Sequence, residues 1–212
     1  MNDRAKAIHA ARQWLSQSPL FLDTETTGLD DTAEICDLAV INHDGIVLLD
    51  TLVKPTIPIP RDAYDVHGIS NADVANAPTF AEVMPDFARI VGDRTVVIYN
   101  LDYDGRILRQ SAAAHGLRLE DRFGLETMEQ FNQWYSHWHC AMELYAQFYG
   151  EWNERYGNYR WQKLGNAARQ CGIRIPADLH RARADAELTR QVIHHVAKAD
   201  PWAKENARIS DW

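Results

Sequence analysis

The sequence is short of basic charge, of cysteine and of long apolar runs, and each shortage removes a class of protein. Lysine and arginine together number 22 against 30 aspartates and glutamates, a formal net charge of −8. A surface of that sign repels phosphate on average, because nucleic-acid binding normally draws on basic side chains. The three cysteines, Cys36, Cys140 and Cys171, are odd in number, far apart and without a CxxC pair. That excludes a disulfide framework and a cysteine-type zinc site, and it leads us to expect a cytoplasmic location. No apolar run approaches the roughly 18 residues of a membrane span, so no membrane partner is expected. The first twenty residues alternate apolar and polar and hold no continuous apolar core, so no secretory signal is expected either. Internal repeats, low-complexity tracts and breaks in composition are also missing, which predicts one domain over residues 1–212. What remains is an ordinary globular composition, 46% hydrophobic and 25% charged, over 212 residues, enough for a sizeable core.

The charge is uneven. Residues 155–190 carry eight basic side chains, Arg155, Arg160, Lys163, Arg169, Arg174, Arg181, Arg183 and Arg190, against Asp178, Asp185 and Glu187. This stretch reads either as a solvated helical face or as a track for a phosphate backbone.

Hydrophobic periodicity outlines the elements. Ala7, Ile8, Ala11, Trp14 and Leu15 recur at helical spacing, predicting an N-terminal helix within residues 1–17. Residues 19–23 read as a strand. Residues 34–42 and 46–53 are two β-rich runs around Asp44-Gly45, a hairpin signal. Residues 54–80 form a proline-rich connector, 80–92 a helix, 95–99 a fourth strand and 103–115 another helix. Residues 126–161 hold 11 of the 21 aromatic residues and read as a pair of helices with an aromatic seam, with a base-stacking surface as the alternative. Helices at 161–171 and 182–198 complete an α/β chain in which a mixed sheet is covered by helices.

The chemistry lies in carboxylates. Asp23 and Glu25 are two apart at the end of the first strand, where residues i and i+2 share a face. An isolated D-x-E is common, but this pair follows an apolar strand and precedes Thr26-Thr27-Gly28, a turn whose backbone can approach a ligand. Two like charges there demand protons or cations. Asp104 follows the fourth strand, beyond which ligands gather in α/β sheets, while Asp102 reads as a capping residue. His180 and Asp185 lie five apart and converge only if His180 is in a loop and Asp185 in the first turns of a helix. Alone, His180 reads as a loop histidine at a helix start.

Taken together, D-x-E after strand one, Asn100-Leu-Asp-Tyr103-Asp104 after a later strand, and His180-Arg-Ala-Arg-Ala-Asp185 resemble the DEDDh, or DnaQ-like, 3′–5′ exonucleases. Ile35-Cys-Asp-Leu-Ala-Val40, Val66-His67-Gly-Ile69 and Pro78-Thr-Phe-Ala-Glu-Val83 add to the likeness. It covers about residues 19–110 and 160–197, and departs from the family where Tyr99-Asn100 replaces the usual His-Asn. The N-terminal helix and the aromatic segment 126–160 resemble stand-alone phage and bacterial members, through Met142-Glu-Leu-Tyr-Ala146 and Tyr159-Arg-Trp-Gln-Lys-Leu164.

The resemblance implies a ribonuclease H-like fold with a mixed five-stranded sheet. It implies two divalent cations, Mg²⁺ or Mn²⁺, with Asp23 bridging, Glu25 and Asp185 on one and Asp104 on the other through water. His180 would be the general base, since histidine titrates near neutral pH. Thr26 and Thr27 would meet the terminal 3′-OH, Leu29 and Tyr103 would pack on the last bases, and Asn100 belongs to the same matching motif. His67 would lie beside the substrate strand or pack a turn. The implied partner is nucleic acid with a free 3′ end, single-stranded and DNA before RNA; a polymerase partner and the oligomeric state stay open. His137 and His139 have no third zinc ligand near them in sequence and read as core or surface residues. A catalytically silent nucleic-acid-binding module, a structural metal protein and an exoribonuclease are the competing readings.

Overall fold

A computed structural model of the protein describes residues 1–176 and 180–201. The elements run α1 (Asp3–Ser16), β1 (Leu20–Thr26), β2 (Ile35–Asn42), β3 (Val47–Leu52), α2 (Arg61–His67), α3 (Asn71–Val74), α4 (Phe80–Val91), β4 (Val96–Ile98) and α5 (Leu101–Ala114). After a 3-10 turn at Glu120–Phe123 follow α6 (Met128–Tyr135), β5 (Trp138–Cys140), α7 (Ala141–Tyr149), β6 (Trp152–Asn153), β7 (Asn158–Tyr159), α8 (Leu164–Gln170) and α9 (Ala182–Lys198).

Five strands form one mixed sheet in the order β3-β2-β1-β4-β5. β2 runs antiparallel to β1 and to β3, whereas β4 runs parallel to both β1 and β5. The fold is therefore α/β with helices on both faces, as the resemblance implies. β1 is buried on both faces because it alternates side chains between two cores. Leu20 and Leu22 enter one with Phe80, Phe87, Ile98, Ile107 and Trp138. Phe21 enters the other with Ile8, Val97, Tyr145, Val192 and Ile193. The expected hairpin is present: Asn42 Oδ1 accepts from Asp44 N and Ile46 N, and Gly45 adopts a φ of 86°. That dihedral favours glycine, which explains the Asp-Gly signal.

Three expectations need correction. The 126–161 segment is more than a helical pair, because Trp138–Cys140 forms the fifth strand of the sheet between α6 and α7, and β6 and β7 form a separate two-stranded hairpin. Strands of three and two residues are too short for alternation to register. The proline-rich connector contains α2 and α3; α3 begins in a capping box in which Ser70 and Asp73 satisfy each other's backbone. The helix expected from 103 starts at Leu101, so Asp102 and Asp104 both occupy its first turn. By contrast, the 182–198 helix has the expected limits. Among the described residues no helix is long and apolar enough to cross a membrane.

Candidate active site

Alternation along β1 divides the polar end of the strand between two neighbours. Asp23 and Glu25 share the parity of Phe21 and face α9, while Thr24 shares that of Leu22 and reaches α5. Asp185 sits in the first turn of α9. One carboxylate oxygen from each of Asp23, Glu25 and Asp185 lies within 4.8 Å of the other two, the one such group of three metal-ligating side chains among the described residues. Asp104, buried in the first turn of α5, accepts a 2.7 Å hydrogen bond from the Thr24 hydroxyl. The helix N-termini of α5 and α9 both meet the end of β1, and their dipoles favour negative charge there.

The start of α9 is held by a residue that motif reading left without a role. Asp37, the cross-strand partner of Glu25, is buried and accepts from Arg181 Nε at 2.9 Å and from Ala182 N at 3.3 Å. It thereby pins the first residues of the helix that carries Asp185. Its one visible signal was its place in the strand motif opposite the carboxylate pair. His180 lies in the preceding bend with a φ of 69°, unusual for a residue with a side chain, and its backbone N–H donates to Asp185 Oδ1 at 3.2 Å. The condition set by the sequence, His180 in a loop and Asp185 in the first helical turn, is met. The imidazole is exposed.

Burial and crowding oppose ionisation here. Asp23 is held well above the usual carboxylate range, first by burial and then by the charges of Asp104, Asp185 and Glu25. Burial, Asp185 and Asp37 push Glu25 up to about 8. Asp104 is pushed up to about 7 by burial, against the opposing bond from Thr24. The nearest guanidinium, Arg181, is engaged by Asp37. An all-carboxylate donor set fits a hard divalent cation. Carboxylates raised in the folded state bind more protons than in the unfolded chain, so the stability they contribute is complete below about pH 4 and lost as pH rises towards 8. In EDTA the melting temperature should therefore fall from pH 5 to pH 8. Mg²⁺ at about 100 times its Kd should restore roughly 5–10 °C, and more at pH 8 than at pH 5. A melting temperature indifferent to both pH and Mg²⁺ would show that the carboxylates do not converge.

The turn after β1 is braced from several sides. The Tyr103 hydroxyl contacts Thr26 Oγ1 at 2.5 Å and Gly28 O at 2.7 Å. Arg106 donates to Leu29 O and Asp30 O, leaving the Leu29 side chain 81% exposed. Asn100 occupies the N-cap position of α5 without a side-chain capping bond, and it lines one cleft with Tyr103. Thr26, Asn100 and Tyr103 thus gather beside the carboxylates, and Leu29 follows on the braced turn. Thr27 does not present itself to a ligand: its N–H donates to Glu34 O and its hydroxyl accepts from Glu34 N, so both groups close the turn. The reason is the change of register at the end of β1, which turns Thr27 inwards. Of the two roles open to His67, the structure shows turn packing. Its Nδ1 accepts from Ile69 N, which leaves Nε2 to donate to Thr26 O at 3.2 Å.

The basic stretch is not a continuous track. Arg160, Arg181, Arg183 and Arg190 pair with Glu151, Asp37, Asp50 and Glu187, and Asp178 lies outside the described residues. His139 stacks on Trp14 with ring centroids 4.5 Å apart, and burial pulls its pKa down to about 4, so it is a packing residue of the core.

Comparison with known proteins bears on this geometry. A family model described as exonuclease, of the RNase T type, matches residues 20–193. The sequence is 40% identical over 188 residues to exonuclease CP81 of Escherichia phage 186, covering 89% of this chain and 92% of that one. It is 31% identical over 114 residues to the DNA polymerase III epsilon subunit of Aquifex aeolicus (strain VF5), covering 52% of this chain and 56% of the relative. Among solved structures, exonuclease X in complex with 5′ overhanging duplex DNA superposes with a TM-score of 0.59 at 21% identity, covering 86% and 93% of the two chains. Escherichia coli exonuclease I with a dA16 oligonucleotide gives 0.66 at 16% identity, over 87% of this chain and 41% of that one. These structural likenesses support the ribonuclease H-like fold.

Proposed function

The chain belongs to the exonuclease family, and from that premise we propose that it is a metal-dependent 3′–5′ exonuclease acting on DNA, single strands foremost. The observation that carries this reading is the meeting of Asp23 and Glu25 with Asp185, from a strand and a helix at opposite ends of the sequence. In this reading Asp23, Glu25 and Asp185 hold one divalent cation, and Asp23 with Asp104 holds a second, Mg²⁺ or Mn²⁺. When bound, such cations supply Lewis-acid charge that activates water and stabilises the departing 3′-oxygen. An imidazole nitrogen of His180 takes the proton of the attacking water; its exposed position on a bend beside Asp185 suits a base that must reach solvent. Thr26, Leu29, Asn100 and Tyr103 receive the terminal nucleotide, and Asp37, Thr24 and His67 hold the groups that act. The DNA named with the relatives and structural neighbours supports DNA over RNA. Residues 1–212 serve as one exonuclease domain, with α1 and the 126–160 segment as parts of it.

The test is a 5′-labelled oligonucleotide incubated with protein and Mg²⁺. A descending ladder is expected, with EDTA stopping it and a 3′-phosphate slowing it strongly. Rapid cutting of circular single-stranded DNA, or full activity in EDTA, would overturn the proposal. An RNA strand of the same sequence, run in parallel, decides the substrate class: faster loss of RNA would replace DNA by RNA.

A further inference from the structure

Two groups stand out among the aromatic residues of the 126–161 segment. Phe131, Trp134, Tyr135 and Trp138 pack on one another at centroid distances of 4.8–6.4 Å and close the core beneath α4 and α5. Trp152, Tyr156 and Trp161, on and after the β6–β7 hairpin, stay 49%, 67% and 58% exposed. The backbone of Trp161 is anchored through the residues on both sides of it. Arg160 N donates to Glu151 O at 2.8 Å. On the other side the buried Tyr99 hydroxyl donates to Gln162 O at 2.6 Å, and Gln162 is itself buried. An indole carried on an anchored backbone yet left in solvent has given up the burial that its size would otherwise win.

That indole lines a cleft of about 280 Å³ with Asn100, Tyr103 and Arg106, beside the carboxylate site, since Tyr103 immediately precedes Asp104 and braces Thr26. Asp102 and Glu143 line it too. Two carboxylates make the cleft a poor seat for a phosphate, and Arg106 is engaged with Leu29 O and Asp30 O. A nucleobase suits it: the base is uncharged, its flat face stacks on indole, and its amino groups donate to carboxylates. We infer that this cleft is a nucleobase subsite in which Trp161 stacks on a base of the substrate strand upstream of the 3′-terminal nucleotide. The inference rests on the exonuclease reading and adds to it a second place where the strand is gripped. Tyr99, which replaces the histidine of the related motif, holds this subsite through Gln162.

The experiment measures KM and kcat on single-stranded oligonucleotides carrying one abasic nucleotide at successive positions from the 3′ end. Wild-type protein should show KM raised about five- to a hundredfold at one position, with kcat nearly unchanged, because a stacking contact acts equally in ground and transition states. Trp161→Ala should raise KM similarly on the intact strand and lose its sensitivity to that abasic position, while Trp161→Phe should restore most of both. Identical abasic profiles for wild type and Trp161→Ala would overturn the subsite, as would a fall in kcat with KM unchanged. Should the wild type degrade no strand with Mg²⁺, the exonuclease reading fails by itself. The subsite is then read by indole fluorescence: quenching by oligothymidylate in wild type and its loss in Trp161→Phe support it, and equal quenching in both refutes it.

Discussion

Asp23→Asn is expected to lower the rate of strand degradation by roughly a thousandfold or more, the equivalent of several kcal/mol of transition-state stabilisation. Asp23 stands at the junction of the site, in reach of Glu25 and Asp185 on one side and electrostatically opposed by Asp104 on the other. Asparagine has nearly the same shape and leaves the β1 ladder intact on both edges. The variant should therefore fold. Because burial and four neighbouring carboxylates oppose the charge of Asp23, removing that charge should leave the melting temperature in EDTA equal to or above the wild-type value. Calorimetry with Mn²⁺ should show weakened binding in parallel with the lost rate. Near wild-type turnover in Asp23→Asn would remove it from the reaction, and a lowered melting temperature in EDTA would show that the carboxylate is a structural group.

His180→Ala is expected to lower the rate roughly 10²- to 10⁴-fold, the usual contribution of a positioned general base, while leaving Mn²⁺ affinity nearly intact. The expectation follows from where the histidine is held. Its backbone is tied to Asp185 and its imidazole lies in solvent, so removing the ring takes no packing away. Alanine also meets the same left-handed backbone, and the fold should be indifferent to the exchange. Added imidazole should restore part of the lost rate, as free base substitutes for the missing ring. Unchanged turnover would make His180 an ordinary loop histidine. Metal binding lost as fully as in Asp23→Asn would make it a ligand or a prop.

These side chains were legible for a simple reason: each belongs to a local pattern with its own period. Asp23 and Glu25 share one face of a strand whose apolar run announces it, and α9 carries Leu188, Val192, Ile193 and Val196 at helical spacing along its whole length. The fifth strand is a different matter. β5 has three residues, so its existence depends on parallel pairing with β4 and leaves no period to read. The brace on α9 escaped because Asp37 and Arg181 are far apart in sequence, and the spacing of either gives no sign of the other. The inward place of Thr27 was not legible because the turn after β1 has no short-loop signature to set its register, and one shifted residue exchanges an outward hydroxyl for an inward one. The basic stretch looked like a surface in one dimension, whereas four of its eight side chains are taken up by acidic partners in three.

The separation of Asp23 and Glu25 from Asp185 in sequence also sets when their repulsion is felt. The β1–β2–β3 meander closes through short connections, whereas α9 docks on β1 across a loop of about 160 residues. Lengthening a loop eightfold adds only about 2 kcal/mol to the entropy of closure, yet it favours the local meander in the folding nucleus. With the meander as nucleus, the carboxylates are expected to be still apart when the barrier is crossed and their charges to meet on the native side of it. Protons or cations that neutralise them act mainly by slowing unfolding, with little effect on the rate at which the chain folds. A cation that neutralises this site is thus expected also to lengthen the life of each folded molecule.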